Sequence, residues 1–155
     1  QTVYNSFGTR EGLAQAYVIR EAQGFLGAVE ELIRDNGADP VRALSSALEL
    51  FLAAAETHPL VRAISSGDGG DELLVLVTTQ GGPVLEPLTG RLAEVIAETW
   101  PSADPAAARL AADTLIRLAI SHAALPGAEP AETSADVARI LAPFISEQLG
   151  GVYAK

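Results

Sequence analysis

Apolar residues recur every three or four positions along most of the chain, which is the spacing of one face of an α-helix. The first such run follows Thr9, a residue type that caps helix N-termini, and Glu11 lies in the first turn, where the helix dipole favours an acid. The run ends at Asn36-Gly37, a pair typical of helix C-termini. The pattern therefore predicts one long helix of roughly 25 residues within positions 9–35, about 37 Å in length.

Aspartate–proline pairs at positions 39–40 and 104–105 indicate the start of two further helices, because aspartate caps the first turn and proline fits the first helical position. Thr133 with Asp136 resembles a capping box and is expected to open the last helix, in which Pro143 should produce a kink. The helices predicted after the first cover residues 40–57, 85–100, 105–125 and 133–149.

The segment between the helices predicted at 40–57 and 85–100 carries mixed signals. A short helical piece is expected at residues 60–64, followed by the turn sequence SSGDGGDE at 65–72. The next stretch, LLVLVTTQ at 73–80, has β-branched residues that favour a strand, but a single strand would have no partner in the rest of the chain. We therefore expect a helix there, and an all-α fold of about six or more helices.

The helix predicted at 105–125 has a narrow polar stripe formed by Arg109, Asp113, Arg117 and Ser121, one turn apart from each other. Almost all its other residues are Ala, Leu or Ile, and a helix that is apolar around most of its circumference is buried on more than one side. The charged residues of the stripe are expected to form an intrahelical ladder of ion pairs, and one apolar side is expected to face a second subunit.

The composition narrows the possible functions. The 155 residues include no cysteine, which excludes thiol catalysis, disulfides and cysteine zinc sites, and no apolar run is long enough to span a membrane. The net charge of −10 would repel DNA, so any DNA contact must come from a local basic element or from residues outside this sequence. Because the chain starts at Gln1 and has no methionine, we expect a further segment before it. A cytoplasmic location is expected.

No group of residues forms a catalytic or metal-binding pattern. His58 and His122 each lack a second ligand at metal-binding spacing, and GDGGD at 67–71 lacks the lysine and preceding strand of a phosphate-binding loop. The paired carboxylates at 30–31 and 71–72 resemble solvated helix faces. We therefore expect no enzymatic activity, no cofactor and no metal.

The front of the chain, QTVYNSFGTREGLAQAY at residues 1–17, resembles the tetracycline-repressor (TetR) family of bacterial transcription regulators. The matching residues span the end of a recognition helix, a tight turn and the start of a linker helix: Thr2, Tyr4, Phe7, Gly8, Thr9, Arg10, Glu11 and Leu13. The segment 121–145 is also typical of many members. The resemblance implies that residues 1–8 end a helix-turn-helix unit, and that residues 9–155 form a linker helix with a ligand-binding and dimerisation domain.

The resemblance also implies roles for individual residues. Gln1 and Thr2 would lie near DNA bases, and Tyr4 and Arg10 would contact phosphates. Many members have a histidine where this chain has Ser6, which removes one phosphate contact. The last two helices, at about 105–125 and 133–149, would pair with those of a second subunit in a homodimer.

Family members sense small molecules in a cavity among the middle helices, and here the lining would be mostly aliphatic. An apolar cavity with few polar groups fits a small apolar effector. The run LVTTQGGPVLEPL at 76–88 is also similar to regulators linked to lactone degradation, which implies an acyl or alkyl lactone or a fatty-acyl compound. The residues expected to bind the effector are Phe51, Thr78, Thr79, Leu88, Leu92, Trp100, Arg117 and His122.

These features together predict a ligand-responsive transcriptional repressor that releases DNA when the effector changes the separation of its recognition helices. Two alternatives stay open at this point. One is a helical carrier of lipid or acyl compounds without any DNA function, and the other is a helical dimerisation module without a ligand. The sequence also does not distinguish a repressor from an activator.

Overall fold

The computed structural model describes residues 10–57 and 82–150, and every regular element within them is an α-helix. The all-α fold expected from the sequence is confirmed for these residues. The helical pieces predicted at 60–64 and 73–80 lie outside them. The described helices are α1 (Arg10–Asp35), α2 (Pro40–Thr57), α3 (Gly82–Thr99), α4 (Pro105–Ala124) and α5 (Pro130–Gln148).

The two aspartate–proline pairs start helices as predicted. The Asp39 carboxylate accepts a hydrogen bond from the backbone N–H of Arg42 at 3.1 Å, and Asp104 accepts one from Ala107 at 3.1 Å. Each bond satisfies an N–H group of the first turn that has no partner within the helix. Proline then occupies the first helical position in both cases, where its missing N–H costs nothing.

The prediction that Thr133 opens the last helix was wrong. The helix α5 begins at Pro130, and Glu129 takes the capping position without a side-chain hydrogen bond. The Thr133 hydroxyl instead donates to the Ala128 carbonyl at 3.5 Å, and Asp136 accepts from Arg139. Proline at the first position extends α5 because its fixed φ angle already suits a helix. The helix continues through Pro143 to Gln148.

Helix α2 lies at the centre of the described bundle. It packs most extensively against α5 and also contacts α1 and α4, whereas α3 packs against α4 and α1. The main core fills the space between α1, α2, α3, α4 and α5. Its most deeply buried large side chains are Ile33, Leu44, Val95, Ile96 and Leu149, and a smaller cluster forms around Leu48, Leu52, Ala119 and Val137.

The turn after α1 is fixed by the end of α3. The indole N–H of Trp100 donates to the Gly37 carbonyl at 2.8 Å. A side chain on Gly37 would bring its Cβ to 3.1 Å from the Thr99 methyl group, so the close approach of the two segments favours glycine there. This contact closes one end of the bundle. No described helix is both long and apolar enough to cross a membrane.

Candidate functional site

Ion pairs centred on Glu30 link the C-terminal half of α1 to α3. Arg91 of α3 donates to the Glu30 carboxylate through both Nε and Nη2, each at 2.7 Å. A bidentate ion pair of this kind fixes the orientation of both side chains. The Glu30 side chain is only 13% exposed, so water screens this pair less than it screens a surface ion pair.

Further arginine and glutamate contacts widen the same link. Arg34 donates to Glu30 at 3.3 Å and to Glu98 of α3 at 3.1 Å. Arg91 also contacts Glu94 at 3.3 Å. Single exposed pairs contribute little, but Arg34 and Arg91 both bind the mostly buried Glu30 carboxylate, which joins these pairs into one network. The network sets α1 on α3 in a defined register.

The network also holds Glu30 in its ionised form. Hydrogen bonds from Arg91 lower the pKa of Glu30 below its ordinary value, and the charges of Arg91 and Arg34 add to this effect against an opposing contribution from burial. The same hydrogen bonds raise the pKa of Arg91. Both partners therefore carry their full charge at neutral pH.

Two predicted effector contacts, Leu88 and Leu92, lie on the buried face of α3. Thr89 lies between them and is 2% exposed. Leu92 belongs to the main core, as does Trp100, whose only polar atom already donates to Gly37. The buried face in the middle of α3 is therefore aliphatic, with one hydroxyl group in it.

Phe51, another predicted contact, packs at the boundary between α1 and α2. Its ring meets the ring of Phe25 edge to face, with centroids 5.8 Å apart and planes at 81°. Aromatic pairs prefer this geometry because a positive ring edge meets a negative ring face. Phe51 also touches the smaller cluster around Leu48 and Leu52, so it lies half-buried beside α1.

A pocket of about 110 Å³ opens where the ends of α2 and α4 meet the start of α5. His122, a predicted effector contact, is one of its walls, and Glu56 and Thr133 bring other polar atoms to it. Its remaining walls are apolar: Leu52, Ala55, Ala123, Pro126, Ala128 and Pro130. A space of this size would hold only part of an alkyl compound.

Arg117, the last predicted contact within the described residues, points outward. Its side chain is 61% exposed and donates to Asp113 at 2.7 Å, which raises the pKa of Arg117. Arg109 pairs with Glu86 of α3 rather than with Asp113. The predicted ladder on α4 is therefore confirmed for one pair, while its first arginine links α4 to α3 instead.

The predicted effector contacts do not converge on one cavity among the described residues. Leu88 and Leu92 lie on α3, His122 lies at the pocket beside α5, and Arg117 faces outward. Thr78 and Thr79 lie outside the described residues, as do the predicted DNA contacts Gln1, Thr2 and Tyr4, while Arg10 is the first residue of α1. The DNA-binding and effector roles of all these residues stay predictions.

Sequence reasoning missed two residues that the structure makes prominent. Ser134 is 1% exposed, donates to Ala131 and accepts a hydrogen bond on its carbonyl from Ser45 of α2 at 3.4 Å, which links α5 to α2. Thr89 is buried beside Leu88 in α3. The signal in the sequence for both residues is a hydroxyl side chain among the apolar positions of a predicted helix.

The fold can now be compared with known proteins. The family model described as the C-terminal domain of the bacterial tetracycline repressor matches residues 39–143, more than half of the chain. The chain therefore belongs to the tetracycline-repressor family of ligand-responsive, DNA-binding transcriptional repressors. Proteins of this family act as dimers on operator DNA.

Two similar proteins share the name AlkX. The HTH-type transcriptional regulator AlkX of Mycobacterium tuberculosis (strain ATCC 25618 / H37Rv) is 31% identical over 144 residues, which cover 93% of this chain and 68% of that protein. The crystal structure of the TetR family repressor AlkX from Dietzia sp. strain DQ12-45-1b, implicated in biodegradation of n-alkanes, is 34% identical. It has a TM-score of 0.82, with 96% of this chain and 81% of that chain covered.

Proposed function

We propose that the described helices form the effector-binding and dimerisation body of this repressor, and that an apolar small molecule bound in the body releases operator DNA. The Glu30–Arg91 link carries this proposal, because it joins α1 to the helix whose buried face includes Leu88 and Leu92. A molecule that displaces α3 would displace α1 with it. The recognition helices before α1 would then take a different separation from the one that matches the operator.

The effector in this proposal is a compound with an alkyl chain. The candidate walls on α3 are aliphatic, and the described pocket beside α5 is mostly apolar. The implication of the similar AlkX protein from Dietzia in n-alkane biodegradation supports the same chemistry. A fatty-acyl compound and an acyl or alkyl lactone both provide such a chain, so the two are separate arms of the test.

The dimer in this proposal is formed by the outer faces of α4 and α5. Leu110 on α4 is 56% exposed and Ile140 on α5 is 76% exposed in the single chain. Large aliphatic side chains exposed on neighbouring helices favour association, because pairing removes their surface from water. A dimer built in this way carries two α1 helices, each leading to a recognition helix.

DNA contacts from Gln1, Thr2, Tyr4 and Arg10 complete the proposal. Their short polar, aromatic and basic side chains fit bases and phosphates, which the acidic body, with its net charge of −10, does not. The protein would act in the cytoplasm, where operator DNA is available. It would use no cofactor and catalyse no reaction.

The test is a DNA mobility-shift assay with the full-length protein, including its helix-turn-helix unit, on an operator fragment that the protein itself selects from genomic DNA. Dodecane, dodecanoate and δ-dodecalactone are titrated separately. We expect at least one of them to weaken operator binding by about tenfold or more, the size of a typical allosteric coupling. Operator binding that none of the three alters would refute the effector class, and ligand binding without any DNA binding would favour the carrier function.

A pair of matched variants tests the route of the coupling. Glu30→Gln removes the negative charge from the bidentate pair with Arg91. Glu31→Gln removes the same charge from an exposed position one residue further along α1. We expect the first variant to bind the effector but release operator less completely, and the second to behave like the wild type. Equal release by both variants would show that coupling does not pass through Glu30.

A further inference from the structure

The Thr89 hydroxyl is buried without a hydrogen-bond partner among the described residues. Thr89 is 2% exposed, and its Oγ1 is completely shielded from water. The other two buried polar side chains of the described regions are both satisfied, since Thr133 donates to Ala128 and Ser134 donates to Ala131. A buried polar group that lacks a partner is destabilising, so its presence calls for an explanation.

The usual local solution for a threonine in a helix is absent at this position. Threonine hydroxyls in helices commonly donate to the backbone carbonyl one turn earlier. Thr99, ten residues further along α3, does so to the Val95 carbonyl at 2.8 Å. No such bond is formed by Thr89 within the described part of the chain. Its hydroxyl is therefore buried and unpaired among the described residues.

The surroundings define which chemical group would fit. Thr89 directly follows the buried Leu88 along α3 and lies three residues, nearly one helical turn, before the buried Leu92. Arg91, two residues further along α3, binds Glu30, and Arg109 of α4, which packs against α3, binds Glu86. A charged group placed there would be costly without a counter-ion, whereas a neutral oxygen atom would need only one hydrogen bond.

We propose that the Thr89 hydroxyl binds an uncharged oxygen atom of the effector, either an alcohol hydroxyl or the carbonyl of an ester or lactone, while the alkyl chain lies along the aliphatic face of α3. This inference rests on the proposed function and narrows its effector from any alkyl compound to a neutral, oxygenated one. A buried hydroxyl discriminates in this way because an effector without the oxygen leaves it unpaired.

The test compares Thr89→Val with Thr99→Val in the full-length protein. Valine has almost the same shape as threonine and lacks only the hydrogen-bonding group, and Thr99 provides a satisfied hydroxyl on the same helix as the control. Isothermal titration calorimetry is carried out with dodecane, dodecan-1-ol, δ-dodecalactone and dodecanoate. We expect Thr89→Val to lose about tenfold or more in affinity for the alcohol or the lactone and nothing for dodecane, while Thr99→Val matches the wild type.

The outcomes separate this inference from the function on which it rests. Wild-type protein that binds none of the four compounds refutes the effector class. Binding by the wild type with an unchanged affinity in Thr89→Val refutes the role of Thr89 alone. An equal loss for dodecane and the alcohol would indicate altered packing, and a loss confined to dodecanoate would indicate a charged head group; either result overturns the proposal.

Thermal unfolding without ligand gives an independent readout. If the Thr89 hydroxyl has no partner in the ligand-free protein, Thr89→Val should unfold at the same temperature as the wild type or at a higher one. Thr99→Val, which loses a hydrogen bond, should unfold at a lower temperature. A Thr89→Val protein that unfolds below Thr99→Val would show that the hydroxyl was already bonded, and would overturn the proposal.

Discussion

Side chains that cap helix N-termini contribute to the stability of this bundle. The starts of α4 and α5 allow a comparison, because only one of them has a side-chain cap. Asp104 accepts a hydrogen bond from Ala107 at the start of α4, whereas Glu129 at the start of α5 makes no side-chain capping bond. We expect Asp104→Ala to lower the free energy of unfolding by about 1 kcal/mol and Glu129→Ala by only a few tenths. Urea denaturation of both variants measures this difference, and equal losses would contradict it.

The ion pair of Glu30 with Arg91, which links α1 to α3, depends on pH because the Glu30 carboxylate titrates. Because its pKa is lowered in the folded state by hydrogen bonds from Arg91, its contribution to stability is fully present above the ordinary value of 4.5. It is lost as pH falls through the lower folded-state pKa, because the unfolded chain takes up the proton first. Chemical denaturation from pH 6 down to about 3 should show this loss in the wild type.

The same pH series with variants assigns the effect to one residue. Glu30→Gln should remove that part of the acid dependence, because the amide does not titrate in this range. Glu31→Gln should leave that part in place, since it leaves the Glu30–Arg91 pair intact. Identical pH profiles for the wild type and Glu30→Gln would mean that other carboxylates cause the acid sensitivity.

At the scale of helices, the features that depend on neighbouring residues could mostly be predicted from the sequence. The three-to-four spacing and the aspartate–proline caps identified α2 and α4 because both signals act within one turn. The start of α5 was missed because Thr133 is a good cap by type, while Pro130 extends the helix past it. The pairing of Glu30 with Arg91 joins residues 61 positions apart, and depends on how α1 and α3 are rotated against each other. No local pattern contains that rotation.

Helix α1 contains two glycines that no described contact requires. A Cβ added to Gly24 or Gly27 would meet nothing within 4 Å among the described atoms, and both residues are exposed. Glycine inside a helix is less stable than alanine by about 0.5–1 kcal/mol. Helix α1 is therefore weaker just before the part that Glu30 links to α3.

Replacing both glycines should strengthen α1 without disturbing the bundle. We expect Gly24→Ala with Gly27→Ala to slow amide hydrogen exchange in this part of α1 by about tenfold, because local opening becomes less favourable. Gly90→Ala is the matched control, since it adds the same group to an open position in α3. Slower exchange in α1 caused by Gly90→Ala as well, or no change with the double variant, would contradict the prediction.

For the whole molecule, the dimer proposed above would use the surface that α4 and α5 leave unpacked in the single chain. The inner faces of α4 and α5 are used by α3 and α2, but the two helices touch each other little. Their outer faces carry Leu110 and Ile140, which the single chain leaves exposed. In a two-fold dimer the same surface is used twice, so one such side chain removes apolar area from water at two symmetry-related places.

This symmetry makes the dimer sensitive to a single charge. In the proposed dimer, Leu110→Glu or Ile140→Glu would bury two carboxylates, and each variant should weaken self-association by about thirtyfold or more, because a charge that loses water without a partner is costly. Leu125→Glu is the control, because Leu125 is 81% exposed in the turn between α4 and α5. Sedimentation equilibrium measures the three variants. If the wild type is a dimer and the first two variants dissociate no more than Leu125→Glu, the two subunits must pair through another surface.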